Sequence, residues 1–83
     1  RDTVSTLRLD AVAASGFSMS RGKAQELISS GRVQLNHRET LKSDAPVAQG
    51  DVISVRGLGK FEVAEVGGLS KKGRTALLLR RYL

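Results

Sequence analysis

The sequence predicts an α+β domain in which two short N-terminal helices pack on a small twisted antiparallel sheet. Two observations predict it. Up to about residue 30 the apolar residues recur at helical spacing, whereas beyond Gly31 they alternate with a period of two. Glycine and proline then divide the remaining chain into short strand-like runs. At 83 residues the chain is expected to hold one small domain.

Residues 1–6, "RDTVST", are polar and unpatterned, and are expected as a linker or disordered end. In "LRLDAVAASG" Leu9, Val12 and Ala13 make one face of a short helix, with Gly16 as its stop. Phe17 and Met19 read as buried joints to a second helix from about Arg21 to Ser30. Its apolar stripe is Ala24, Leu27 and Ile28. Ser20 suits its N-cap and Gly31 its C-terminal stop. Val33 and Leu35 alternate with Gln34 and Asn36, as in a half-buried strand. "NHRE" is a tight turn, "APVAQGD" a loop and "VISVR" a strand. "GLG" turns the chain into the strand "KFEVAEV". "GGLSKKGR" is a basic loop and "TALLLRRYL" a last strand. Arg80 and Arg81 are adjacent on it and so point to opposite faces. Residues 7–83 form the single domain, with 7–57 as its core and 58–83 as a β extension.

Lys and Arg total 14 against 8 Asp and Glu, a net charge of +6. So basic a small domain suggests a polyanionic partner, nucleic acid first. With no cysteine there is neither a disulfide framework nor a thiolate metal site. Aromatic residues make up 4% of the chain, so the core must come from Leu, Val, Ile and Ala. No run approaches the roughly 18 apolar residues of a membrane span. The first residue is Arg rather than Met, so a fragment or processed chain is expected.

Arg21 and Lys23 pose a puzzle. They stand in the first turn of their helix, where the dipole favours Asp or Glu. Stepping 100° per residue places them at the two borders of the apolar stripe, ringing the N-terminal end. One reading is an anion site, in which phosphate meets both side chains and the free N–H groups. The plainer reading pairs Lys23 with Glu26 and leaves Arg21 solvated. Arg8 either pairs with Asp10 or extends the basic face. Arg32 and Arg38 flank the first strand, and Asn36 is more simply a turn residue than a base reader. His37, the sole histidine, has no evident carboxylate partner. No nucleophile, P-loop or metal-ligand cluster stands out, so no catalytic residue, metal or cofactor is expected.

Three segments bear a family resemblance: "RLD" at 8–10, "SRGKAQELISSGRVQLN" at 20–36 and "VAQGDVISVRG" at 47–57. Together they resemble the S-four RNA-binding domain, the alpha-L motif named after small-subunit ribosomal protein four. The tail from Gly59 looks like the C-terminal extension of the YlmH-like branch, which includes the cyanobacterial photosystem II S-four domain proteins. The resemblance implies a non-catalytic module that binds structured RNA, ribosomal RNA or tRNA, in a cytoplasmic ribosome-associated protein. The large ribosomal subunit is the implied partner. Apart from the resemblance, a monomer with no membrane contact is expected. By position the family's RNA face falls on Arg8, Ser20, Arg21, Lys23, Gln25, Arg32, Asn36 and Arg38. Lys71, Lys72 and Arg74 are secondary candidates. On this reading RNA phosphate is the counter-charge that Arg21 and Lys23 await.

Two departures from the family pattern carry expectations. Asn36-His37 replaces the usual Asn-Gly, and His resists the positive φ of a type I′ turn, so a wider turn is expected. Gly22 weakens the first turn of the second helix, which is expected to order on RNA. Two rival functions remain: an accessory domain of an RNA-modifying enzyme such as a pseudouridine synthase, and a protein-interaction module using the C-terminal sheet.

Overall fold

Alternation of apolar residues beyond Gly31 produces a sheet, and the two helices cover one face of it. The computed structural model describes residues 2–69 and 73–82. Helices α1 (Leu9–Gly16) and α2 (Arg21–Ser29) lie between the first two strands in sequence. The strands are β1 (Asp2–Val4), β2 (Val33–Leu35), β3 (Arg38–Glu39), β4 (Val52–Val55), β5 (Gly59–Leu69) and β6 (Thr75–Tyr82). They form one antiparallel sheet in the order β1-β6-β5-β4-β2-β3. The α+β class is as the sequence predicts, with β1 and β3 as additional strands.

Register places the apolar residues on one face. Val33 lies opposite Val55, Leu35 opposite Ile53, Ile53 opposite Phe61, and Val63 opposite Leu79. Alternation sends Gln34, Ser54, Glu62 and Arg80 to the other face. Leu9, Val12 and Ile28 from the helices join Val33, Ile53, Phe61, Val63 and Leu77 as fully buried side chains. Each such burial stabilises the fold by about 1.5–3 kcal/mol. Phe17 leans on Phe61 with ring centroids 5.1 Å apart, and Met19 packs against the same core, so both are joints, though half-buried rather than buried.

Several local expectations are corrected. Residues 2–4 are not a linker or disordered end. They pair with β6, and Val4 is buried in the core. Gly16 does end α1, as expected, being the helix's last residue without a left-handed backbone. A Cβ there would overlap the Phe61 ring, so close approach is what requires glycine. Asn36 and His37 both take positive φ, 53° and 69°, and Leu35 pairs with Arg38 across them. That is the two-residue hairpin loop of a type I′ turn, not a wider one. The first turn of α2 is helical from Arg21 through the chain's own contacts. Ser20 Oγ accepts the Lys23 N–H at 3.1 Å.

The other end of α2 closes as expected. Gly31 has φ 80°. Its N–H donates to the Ile28 carbonyl, and the Arg32 N–H donates to that of Leu27, each at 3.1 Å. This is a Schellman closure. It turns the chain from α2 directly into β2.

Candidate nucleic-acid interface

The N-terminal ends of the two helices meet at Asp10. This residue lies in the first turn of α1, where the dipole favours a carboxylate, and its Oδ1 accepts the Ala11 N–H at 2.8 Å. Asp10 is nevertheless fully buried. A buried carboxylate is tolerated only with donors and counter-charge around it. Arg8 Nη2 donates to Oδ2 at 3.1 Å and Gln25 Nε2 at 2.9 Å. Arg21 Nη2 reaches both oxygens at 3.3 Å. Arg21 and Gln25 are four residues apart, so both project from one face of α2 onto the same group. Burial pushes the Asp10 carboxyl up, but the Gln25 amide, the Ala11 N–H and the Arg21 guanidinium outweigh it and hold the pKa below the ordinary value.

The loop after β3 closes this corner. The N–H groups of Leu9 and Asp10 donate to the carbonyls of Ala45 and Ser43 at 2.9 and 3.0 Å. Val47 N–H donates to the Leu7 carbonyl at 2.9 Å. The first N–H groups of α1 are thus taken up by the chain itself.

These contacts answer the puzzle of the two cations separately. The first turn of α2 has no acid of its own, and Asp10 of α1 supplies one. Arg21 therefore has a counter-charge within the chain, in Asp10. Arg8 pairs with the same carboxylate, as one of its two readings had it. Lys23 is different: it is exposed, and among the described residues no ion pair, with Glu26 or any other acid, engages it. The arrangement hides the negative group and shows the positive ones. Asp10 has no exposed side-chain surface, whereas Arg8 and Arg21 keep 41% and 42% of theirs.

The other candidates lie elsewhere on the domain. Arg32 follows α2, about 13 Å of helix from Arg21. The Asn36 side chain is committed within the chain. Its Nδ2 donates to Asp51 Oδ1 and its Oδ1 accepts the Val52 N–H, both at 2.9 Å. Asn36 therefore locks the hairpin to the loop before β4, in keeping with the plainer reading of it. Arg38 is exposed on β3 opposite Leu35. Arg74 is anchored to β1, Nε donating to Thr3 Oγ1 at 3.0 Å and Nη2 to the Thr3 carbonyl at 2.9 Å. Lys71 and Lys72 lie outside the described residues. Arg80 pairs with Glu62 at 3.6 Å, while Arg81 stacks over Phe17 with 5.3 Å to the ring centre.

One cation escaped the sequence reading. Arg56 N–H donates to the Arg32 carbonyl at 3.0 Å, and both arginines line a groove of about 220 Å³ with Gln34 and Ser54. Only the pairing of Val33 with Val55 brings residues 32 and 56 together, and that register is not written in either segment alone.

Residues 7–53 match the model of the S4 domain. The chain is also 40% identical, over 80 residues, to the Bacillus subtilis (strain 168) protein named "Ribosome-associated protein quality control protein P2". That alignment takes in 96% of this chain but only 31% of the relative, so the chain spans about a third of that protein. The match begins beside Arg8 and Asp10 and contains both helices with the carboxylate that joins them, and on that ground the chain belongs to the S4 domain family.

Proposed function

We propose that this domain is a non-catalytic module binding structured RNA, ribosomal RNA or tRNA, within a ribosome-associated protein of the cytoplasm. The observation that carries the reading is the Asp10 cluster. A hidden carboxylate orients Arg8 and Arg21 while 41% and 42% of their side-chain surfaces remain exposed. Each arginine has further N–H donors for phosphate oxygens. Holding them in place beforehand reduces the conformational entropy lost when RNA binds. Lys23 adds an exposed charge beside them, and Ser20 a hydroxyl. Arg32 and Arg38 extend the basic surface away from the helix ends. The likeness to a protein named for ribosome-associated quality control supports the ribosomal setting.

Crosslinking the full-length protein in cells and sequencing the bound RNA tests this reading. Recovery of large-subunit ribosomal RNA and tRNA is expected. Recovery of neither, with the protein folded and expressed, overturns it.

A further inference from the structure

A cleft of about 360 Å³ opens between α1 and β1, on ground that the S4 match only partly covers. Arg21 belongs to the matched region, whereas Thr3 and Arg74 lie outside it. The volume falls within the range of small-ligand sites, about 300–1,000 Å³. Alanines on α1 make the space: Ala11 and Ala14 line it with methyl groups where longer side chains would fill it.

We propose that this cleft receives a single unpaired nucleotide of the bound RNA, a reading that rests on the proposed function. Its lining is mixed in the way a nucleotide is mixed. Two guanidiniums, from Arg21 and Arg74, suit a phosphate. The methyl groups and Met19 suit the flat face of a base, and the hydroxyls of Ser5 and Ser15 suit a sugar. A bare phosphate needs no apolar lining, and an apolar ligand needs no pair of arginines. Arg74 is held against β1 through Thr3, so its charge is fixed at the cleft. Arg21 is shared with the Asp10 cluster, where only its Nη2 is engaged among the described residues. A strand of RNA lying across the helix ends therefore passes the mouth of the cleft, and one nucleotide displaced from the stack reaches it. A fully paired stem keeps its bases stacked and has none to offer.

The test uses the full chain and two RNA hairpins with the same stem, one fully paired and one with a single-nucleotide bulge. Binding is titrated at one fixed salt concentration. The bulged hairpin is expected to bind about tenfold tighter, a difference of about 1.4 kcal/mol. Ser15→Phe and Ser5→Phe each fill the cleft, one from α1 and one from the segment after β1. Each is expected to abolish that preference and leave affinity for the paired hairpin unchanged, with thermal melts confirming the fold. Two independent positions guard against one variant failing to fold. Equal binding of both hairpins by the unmodified chain overturns the cleft proposal and leaves RNA binding intact. A preference that survives both folded variants places the nucleotide elsewhere and overturns it as well. Failure to bind either hairpin overturns the RNA reading itself, and the cleft proposal with it.

Discussion

Arg21 Nη2 donates to both carboxylate oxygens of Asp10 at 3.3 Å, joining the first turn of α2 to the first turn of α1. The contact gives Arg21 two employments, since the same side chain that neutralises a buried acid keeps 42% of its surface exposed. Structure and the proposed RNA contact thus draw on one side chain.

Asp10→Asn is expected to lower stability by roughly 2–3 kcal/mol, because it weakens charge-assisted hydrogen bonds from three side chains. The partial exposure of both arginines keeps the loss from being larger. The pH dependence follows from the sign of the shift. Asp10 has its folded pKa below the ordinary 3.8, so the unfolded chain takes up its proton first as pH falls. Its contribution is fully present above the unfolded value and is lost as pH falls through the folded one. Urea melts of both proteins between pH 7 and pH 2 should converge at the acid end. A constant gap across that range would contradict the assignment.

The two cations of the α2 first turn should separate under charge reversal. Lys23→Glu removes a charge that no ion pair among the described residues engages and places an acid where the dipole favours it, for a gain of about 0.3–1 kcal/mol. Arg21→Glu sets a second carboxylate against buried Asp10 and should lower the thermal midpoint sharply. RNA affinity should fall in both. Thermal melts beside an RNA titration distinguish a lost fold from a lost contact, and Lys23→Glu is the variant in which the two come apart.

Gly16→Ala runs against helix propensity. Alanine gains about 0.5–1 kcal/mol over glycine inside a helix, yet a Cβ here meets the Phe61 ring. A net loss of about 1–3 kcal/mol is expected from overpacking. Phe61→Leu in the same chain should absorb part of it, so a double-mutant cycle measured by urea melts should show positive coupling.

His37→Gly should stabilise the hairpin. His37 has φ 69°, which glycine adopts without steric cost. The gain is expected to be below about 1 kcal/mol, because glycine also frees the unfolded chain. A rise in thermal midpoint with unchanged RNA affinity is the expected outcome.

Affinity for structured RNA should fall steeply with salt. Arg8, Arg21, Lys23, Arg32 and Arg38 all keep exposed or half-exposed side chains. At roughly 0.7–0.9 per neutralised phosphate, they give a log–log slope of about −3 to −5. Titrations at several salt concentrations measure it, and a slope near zero would contradict an electrostatic interface.

The sequence by itself determined what is encoded within a few residues. Ser20 and Gly31 marked the ends of α2, alternation marked β2 and β4, and the motif from Arg8 to Gly57 marked the family. Caps, turns and periodicity act over one or two turns of chain, so they can be read locally. Tertiary structure alone decided which distant groups meet. Asp10 lies 11 positions from Arg21 and 15 from Gln25, and nothing local to either helix shows that one acid serves both. Arg32 and Arg56 come together through strand register. Residues 2–4 look like a polar tail until β6, some seventy positions on, offers an edge to pair with. A buried charge must find its partners wherever the fold places them, and an edge strand borrows its hydrogen bonds from a neighbour made later in the chain.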